Sequence, residues 1–184
     1  MSAIHEAAKI LKKGGIVIYP TESSYALGCD ATNAKAIKKV HKLKGRKSGK
    51  YFPVIVADID MAKRYYFVDK KIERLAKFGI TIVTKKKNNM PKSIGGFRIS
   101  KNSIARKLSK ELGKPIIATS ANISGKESLY KINDVKKIFT GKVDAILNAD
   151  NLPKRRPSTV YDYQNKKILR KGPVTLGAIK RALS

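Results

Sequence analysis

The chain holds one cysteine, two histidines and 13 acidic residues in a length of 184. A single thiol, Cys29, cannot close an internal disulfide, so a disulfide framework and a secreted scaffold are not indicated. His5, His41 and Cys29 are too few to build a His/Cys zinc centre. A Ser-His-Asp triad is hard to assemble from so little histidine. No apolar run approaches the ~20 residues needed to span a bilayer. Residues 1–13 read as an amphipathic helix without the apolar block of a signal peptide, so a cytoplasmic protein is expected.

The scarcity of acid is matched by an excess of base. There are 41 Lys+Arg, for a formal net charge of +28. Solubility needs far less charge than this, and charge of one sign repels itself. Three explanations stand at this point: a nucleic-acid partner, an anionic small molecule, or a lysine-rich proteome. Hydrophobic residues make up 42% and fall in periodic clusters, which argues for an ordered core and against disorder. The length suits one domain over residues 1–184.

Short β-rich runs alternate with helical periodicity. Ile4, Ala7, Ala8 and Leu11 repeat at helical spacing over residues 3–13, and Gly14-Gly15 ends that helix. Ile16 to Tyr19 reads as a strand stopped by Pro20. Residues 33–42 read as a helix with Asn33 as N-cap. Further strands are expected at Val54–Val56, Ile80–Val83, Pro115–Ala118, Ala145–Leu147, Ser158–Tyr161 and Ile168–Leu169, with helices over 70–77, 101–112 and 175–183. Strands spaced by helices imply an α/β sheet with helices layered on it. No repeat and no long linker is visible. The densest basic clusters, Lys85 to Lys87 and Lys154 to Arg156, fall in expected loops.

Four segments could carry chemistry. Pro20-Thr21-Glu22-Ser23-Ser24-Tyr25-Ala26-Leu27-Gly28 follows a buried strand, where open α/β folds bind ligands; it is either a polar-substrate loop or a turn into a helix capped by Ser23 and Ser24. Lys44-Gly45-Arg46-Lys47-Ser48-Gly49-Lys50 is not a P-loop: three residues separate its glycines where that motif needs four, Tyr51 follows the lysine, and a helix precedes it. It is either a phosphate-binding loop or an ordinary basic one. Ala118-Thr119-Ser120-Ala121-Asn122-Ile123-Ser124-Gly125 is the most specific stretch, because small residues let a ligand approach the backbone while hydroxyls and an amide ring a phosphate or ribose. Pro157-Ser158-Thr159-Val160 and Ile168-Leu169-Arg170-Lys171-Gly172 flank a hairpin turn at 162–167, placing Ser158 and Arg170 near one edge. Arg98, inside a short apolar strand, needs an anionic partner, either a carboxylate side chain or a ligand. His5 and His41 suit surface or core helix positions, and Cys29 suits packing.

In this order the four segments resemble the YrdC-like family of threonylcarbamoyl-AMP synthases. Its signatures are matched by Pro20-Thr21-Glu22 leading to Gly28-Cys29, by Lys44, Arg46 and Lys50, by Thr119-Ser120-Ala121-Asn122-Ile123-Ser124-Gly125, and by Pro157-Ser158-Thr159 with Leu169-Arg170-Lys171-Gly172. The resemblance spans about residues 15–172. It implies an α/β fold with a YrdC-like twisted mixed parallel/antiparallel sheet, helices packed over it and a concave basic face. It implies an enzyme that joins L-threonine, bicarbonate and ATP, with Mg²⁺, into threonylcarbamoyl-AMP and pyrophosphate. A partner complex would then transfer the threonylcarbamoyl group to an adenosine beside a tRNA anticodon.

Carried over, the family roles give Lys44, Arg46 and Lys50 to the ATP phosphates and make them the catalytic cations. Ser120, Asn122, Ser128 and Arg170 line the nucleotide. Ser23, Arg98, Ser158 and the backbone near Ala118 hold threonine, with Arg98 facing its carboxylate. No protein metal ligand is implied. The sequence departs from the family before its middle strand, where only Lys77-Phe78-Gly79-Ile80-Thr81 stands, and in the short basic stretch from Lys85 to Gly96. With Ser184 as the last residue, the short single-domain form is expected. Two other functions fit the same segments. One is a non-catalytic protein binding double-stranded RNA, tRNA or ribosomal RNA on its basic face. The other is a carbamoyl-transfer module like that of hydrogenase maturation proteins.

Overall fold

The computed structural model describes residues 2–45 and 51–184. In chain order the elements are α1 (Ala3–Lys12), β1 (Val17–Pro20), β2 (Tyr25–Gly28), α2 (Ala34–Lys44), β3 (Phe52–Val56), α3 (Ile59–Tyr65), α4 (Lys70–Ala76), β4 (Thr81–Val83), β5 (Ile94–Ile99), α5 (Ser103–Leu112), β6 (Ile116–Ile117), β7 (Thr119–Ser120), α6 (Ile132–Phe139), β8 (Ala145–Ile146), β9 (Val160–Asp162), β10 (Lys167–Arg170) and α7 (Leu176–Leu183).

Most helices start on a side-chain cap. Ser2, Asn33, Asp58, Asp69, Asn102 and Thr175 each accept a hydrogen bond from a first-turn backbone N–H, an arrangement worth about 1 kcal/mol apiece. Gly45 and Gly113 close α2 and α5 in the left-handed region, at φ +56° and +77°. Buried Ala7, Ala8 and Leu11 of α1 and Ala105, Leu108 and Leu112 of α5 form one apolar cluster with Val17, Tyr19, Ile55 and Ile116 of the sheets. A larger cluster gathers α2, α3, α4, α6 and α7 on the remaining apolar side chains.

Hydrogen bonding divides the expected single sheet into two mixed sheets, one ordered β7-β2-β1-β8 and the other β10-β9-β4-β5-β3-β6. The division falls inside one extended run. Ile116 and Ile117 pair antiparallel with Ile55 and Val54, whereas Thr119 and Ser120 pair with Leu27 and Ala26. Ala118 is the point of exchange, and its N–H donates to the Pro53 carbonyl. Behind it the Ile117 N–H donates to the Cys29 carbonyl, and the Tyr19 hydroxyl donates to the Ile117 carbonyl at 2.7 Å. This junction needs Gly28: a Cβ there would lie 2.4 Å from the Ile117 oxygen and 2.6 Å from the Tyr19 ring.

The expected strands and helices are present within one to three residues, with four additions, of which β7 is formed by Thr119 and Ser120 of the polar stretch. β2 forms where a loop was read; all four of its residues are buried, so it lacks the polar alternation that marks a strand with one wet face. α3 buries only Met61 and Ala62, too little for an apolar stripe. α6 buries Ile132, Val135 and Phe139 but has no side-chain N-cap. Of the two readings left open for Pro20 to Gly28, the turn into a helix capped by Ser23 and Ser24 does not hold, since a turn joins β1 to β2. No helix among the described residues is long and apolar enough to cross a membrane.

Candidate active site

A cavity of about 320 Å³ opens over the junction, with Ala26, Pro53 and Ala118 in its lining. That volume falls within the range of small-molecule sites. Three walls rise from different elements.

The first wall is the β1–β2 turn. The Thr21 hydroxyl donates to the Ser24 carbonyl at 2.7 Å and accepts from the backbone N–H groups of Ser23 and Ser24 at 3.3 Å. Thr21, Ser23 and Ser24 all line the cavity. Glu22 turns the other way: its carboxylate accepts from the Arg98 guanidinium and, at 2.5 Å, from the Ser100 hydroxyl.

The second wall runs from Thr119 to Ser128. The Ser120 hydroxyl donates to the Asn122 amide oxygen at 2.8 Å, and the Asn122 side-chain nitrogen donates to the Lys126 carbonyl. The Lys44 ammonium reaches in from the end of α2. It donates to the carbonyls of Ser120 at 2.7 Å and Asn122 at 3.0 Å, and to the Asn122 amide oxygen at 2.6 Å.

The third wall combines β4, β5 and the β9–β10 hairpin. The Arg170 guanidinium donates twice to the Ser158 carbonyl, at 3.1 and 2.8 Å, and once to its hydroxyl at 3.2 Å. The Thr81 and Ser158 hydroxyls are 2.9 Å apart. Arg98, 6% exposed, presents its guanidinium from β5. Burial and, second, the charge of Arg98 lower the Arg170 pKa. Lys44, Arg98 and Arg170 therefore line one cavity in which none of the described lining residues is a carboxylate. Such a wall stabilises an anion at fixed dipoles and charges that need no reorganisation.

Nine of the eleven residues singled out in the sequence line this cavity: Ser23, Lys44, Arg98, Ala118, Ser120, Asn122, Ser128, Ser158 and Arg170. Arg46 and Lys50 lie outside the described residues. The anionic partner that Arg98 required is the Glu22 side chain. Cys29 is fully buried, and burial pushes its thiol up to about 12, as suits a packing residue. Sequence reasoning assigned no role to Thr21, Ser24, Thr81, Thr119, Ser124 and Gly125, which also line the cavity. All but Thr81 sit inside the motifs already quoted. Thr81 arrives from β4, and only the Thr81–Ser158 contact reveals it.

Fold and cavity together define an α/β protein whose cavity gathers hydroxyls, an amide and three cations, with no histidine, cysteine or carboxylate among the described lining residues. The chain belongs to the Sua5/YciO/YrdC family, described as telomere recombination, whose pattern matches residues 9–172. It is 32% identical, over 94% of its own length and 87% of the relative's, to a Methanocaldococcus jannaschii protein provisionally named threonylcarbamoyl-AMP synthase. It is 29% identical, over 92% of its length and 97% of the relative's, to the threonylcarbamoyl-AMP synthase of Pseudoalteromonas translucida. The crystal structure of P. abyssi Sua5 complexed with L-threonine superposes with a TM-score of 0.90 at 30% identity, covering 98% of this chain. This chain spans 57% of that one.

Proposed function

We propose that the chain is a threonylcarbamoyl-AMP synthase. The observation that carries this reading is one cavity that joins two kinds of wall. The Lys44–Ser120–Asn122 wall, with Arg170 opposite, suits a nucleotide, and Ser23, Arg98 and Ser158 suit an amino acid with its carboxylate on the Arg98 guanidinium. The relatives named for this activity, and the one solved with threonine, support it.

The reaction asks for what the lining supplies. The threonine amine adds to carbon dioxide drawn from bicarbonate and loses a proton, giving a carbamate. A carbamate oxygen attacks the α-phosphorus of ATP, the bond to the bridging oxygen breaks, and pyrophosphate leaves. Both steps demand alignment and neutralisation of negative charge more than a protein nucleophile. Arg98 holds the amino-acid end with Ser23 and Ser158, and the turn from Ser120 to Ser128 holds the nucleotide end with Arg170. Arg46 and Lys50 extend the reading to the phosphates on the strength of the sequence. Among the described residues no three metal-ligating side chains cluster. In this reading magnesium enters as MgATP, held chiefly by phosphate oxygens and water.

The product is a mixed anhydride that water destroys, so it is handed to a transferase acting on tRNA. The test is pyrophosphate release by purified protein given MgATP, bicarbonate and threonine, with mass spectrometry of the adenylate. Release that requires threonine and yields a threonine-containing adenylate supports the reading; no threonine-dependent release overturns it.

A second reading has its own observation. Among the described residues three cations, Lys44, Arg98 and Arg170, line the cavity, in a sequence with 41 basic residues. The other cations are spread along the chain and suit a phosphate backbone. RNA affinity that falls steeply with salt and survives Arg98→Ala would add an RNA-binding surface. With no synthase activity, it would replace the enzymatic reading.

A further inference from the structure

We propose that Lys44 is a positioning residue that builds the Ser120–Ser124 turn, rather than a ligand of the ATP phosphates. Lys44 ends α2 and is 4% exposed, although it is a lysine in a chain rich in exposed lysine. A buried ammonium must be surrounded by acceptors. Its three N–H donors match three oxygens: the carbonyls of Ser120 and Asn122 and the Asn122 amide oxygen, all within 2.6 to 3.0 Å. The same residue grips the turn a second time, because the Ser124 N–H donates to the Lys44 carbonyl at 2.9 Å.

The turn is otherwise held by backbone hydrogen bonds, from the Ala121 N–H to the Tyr25 carbonyl at 2.9 Å and from the Lys126 N–H to the Ile123 carbonyl at 3.0 Å, and neither orients the Asn122 amide. β7 is two residues long, and its pairing stops at Ser120. Beyond it the Asn122 amide must face its oxygen to Lys44 and the Ser120 hydroxyl while its nitrogen reaches the Lys126 carbonyl. The ammonium sets that amide's orientation, and so sets which polar atoms the wall turns toward a ligand. A phosphate on the same ammonium would have to displace one of these oxygens: the Asn122 carbonyl would lose the ammonium outright, while the Ser120 carbonyl and the Asn122 amide oxygen would fall back on the Asn122 N–H and the Ser120 hydroxyl. The kinetic consequence rests on the nucleotide reading of the cavity; the structural consequence does not.

The test compares ATP with adenosine, which has no phosphate, as probes in wild-type, Lys44→Met and Lys44→Arg protein, alongside amide hydrogen exchange. A positioning lysine predicts that Lys44→Met weakens both probes by the same factor, about tenfold, and speeds exchange across 119–126 while β5 stays protected. Lys44→Arg, whose fork does not fit three converging oxygens, weakens both alike as well. A loss confined to ATP, or retention of ATP affinity by Lys44→Arg with exchange unchanged, overturns the proposal. Should Lys44→Met fail to fold, Lys44→Arg decides by the same comparison. Wild-type protein that binds neither probe would overturn the nucleotide reading instead, and exchange at 119–126 would then decide the role of Lys44 alone.

Discussion

Arg98 and Glu22 form an ion pair that ties β5, a central strand of the six-stranded sheet, to the β1–β2 turn of the four-stranded one. Both side chains are largely shielded, at 7% and 21% exposure, and the free oxygen of Glu22 is taken by Ser100. The carboxylate thus fixes a guanidinium that also faces the cavity.

Removing one member strands the other. Glu22→Ala leaves a shielded guanidinium uncompensated and is expected to cost about 3 kcal/mol, whereas Glu22→Ala with Arg98→Met costs less than Glu22→Ala alone. Urea unfolding of the singles and the double reads the coupling; strictly additive losses would remove the ion pair from the account. In the assay, Arg98→Ala should raise the threonine KM by roughly 30-fold, the equivalent of about 2 kcal/mol for a charged hydrogen bond, and leave the ATP KM within about twofold.

Thr81→Val tests a residue that no motif revealed. The substitution keeps shape and deletes the hydroxyl that meets Ser158 at 2.9 Å. Ser158 stays tethered through its carbonyl to Arg170, so the loss is limited to one neutral hydrogen bond, about 1 kcal/mol. A fivefold fall in kcat/KM for threonine is the expected reading, by about 1 kcal/mol at 298 K. No change would mean that the Ser158 hydroxyl is already oriented by Arg170.

These two residues show what was legible. Ser23, Ser120, Asn122, Ser128, Ser158 and Arg170 lie within or beside contiguous polar stretches that leave buried strands, and a sequence displays such stretches directly. Thr81 and Glu22 act through partners 77 and 76 positions away, and separation of that kind leaves no local trace. The burial of Lys44 was hidden for the same reason: its acceptors lie 76 and 78 residues on. The switch between sheets at Ala118 was hidden too, since a strand shared by two sheets reads as one apolar run followed by a polar one. β2 was missed because a strand buried on both faces has no period-two signal.

Gly28→Ala probes the junction itself. The added methyl would approach the Ile117 oxygen and the Tyr19 ring at 2.4 and 2.6 Å, and the backbone oxygen cannot swing aside as a side chain can. Overpacking of this kind costs about 1–3 kcal/mol. The cost should appear as a lower urea midpoint together with weaker binding of both substrates, because Ala118 and Pro53 sit at the same seam. Unchanged stability would show that the two sheets can separate slightly at no penalty.

Alkaline stability should depend on Tyr163. Its hydroxyl donates to the Asp69 carboxylate at 2.7 Å, beside the start of α4. Burial first, and the hydrogen bond to Asp69 second, push the Tyr163 pKa up to about 12, above the ordinary value of 10.0. The folded state therefore keeps a proton that the unfolded state releases. The stabilisation is whole below pH 10 and is lost as pH rises from 10 towards 12. Asp69 carries the opposite sign: desolvation raises its pKa, but the Tyr163 hydroxyl and the N-cap hydrogen bonds outweigh it and leave the net value lowered. Its contribution is present above the ordinary carboxylate value of 3.8 and is lost as pH falls through the lower folded value. Tyr163→Phe should accordingly lower the urea midpoint at pH 7 and narrow the gap to wild type at pH 11 and above. It should also make the variant lose stability at a higher pH than wild type on the acid side. A gap that stays constant from pH 7 through pH 12 would mean that Tyr163 titrates alike in the folded and unfolded chain.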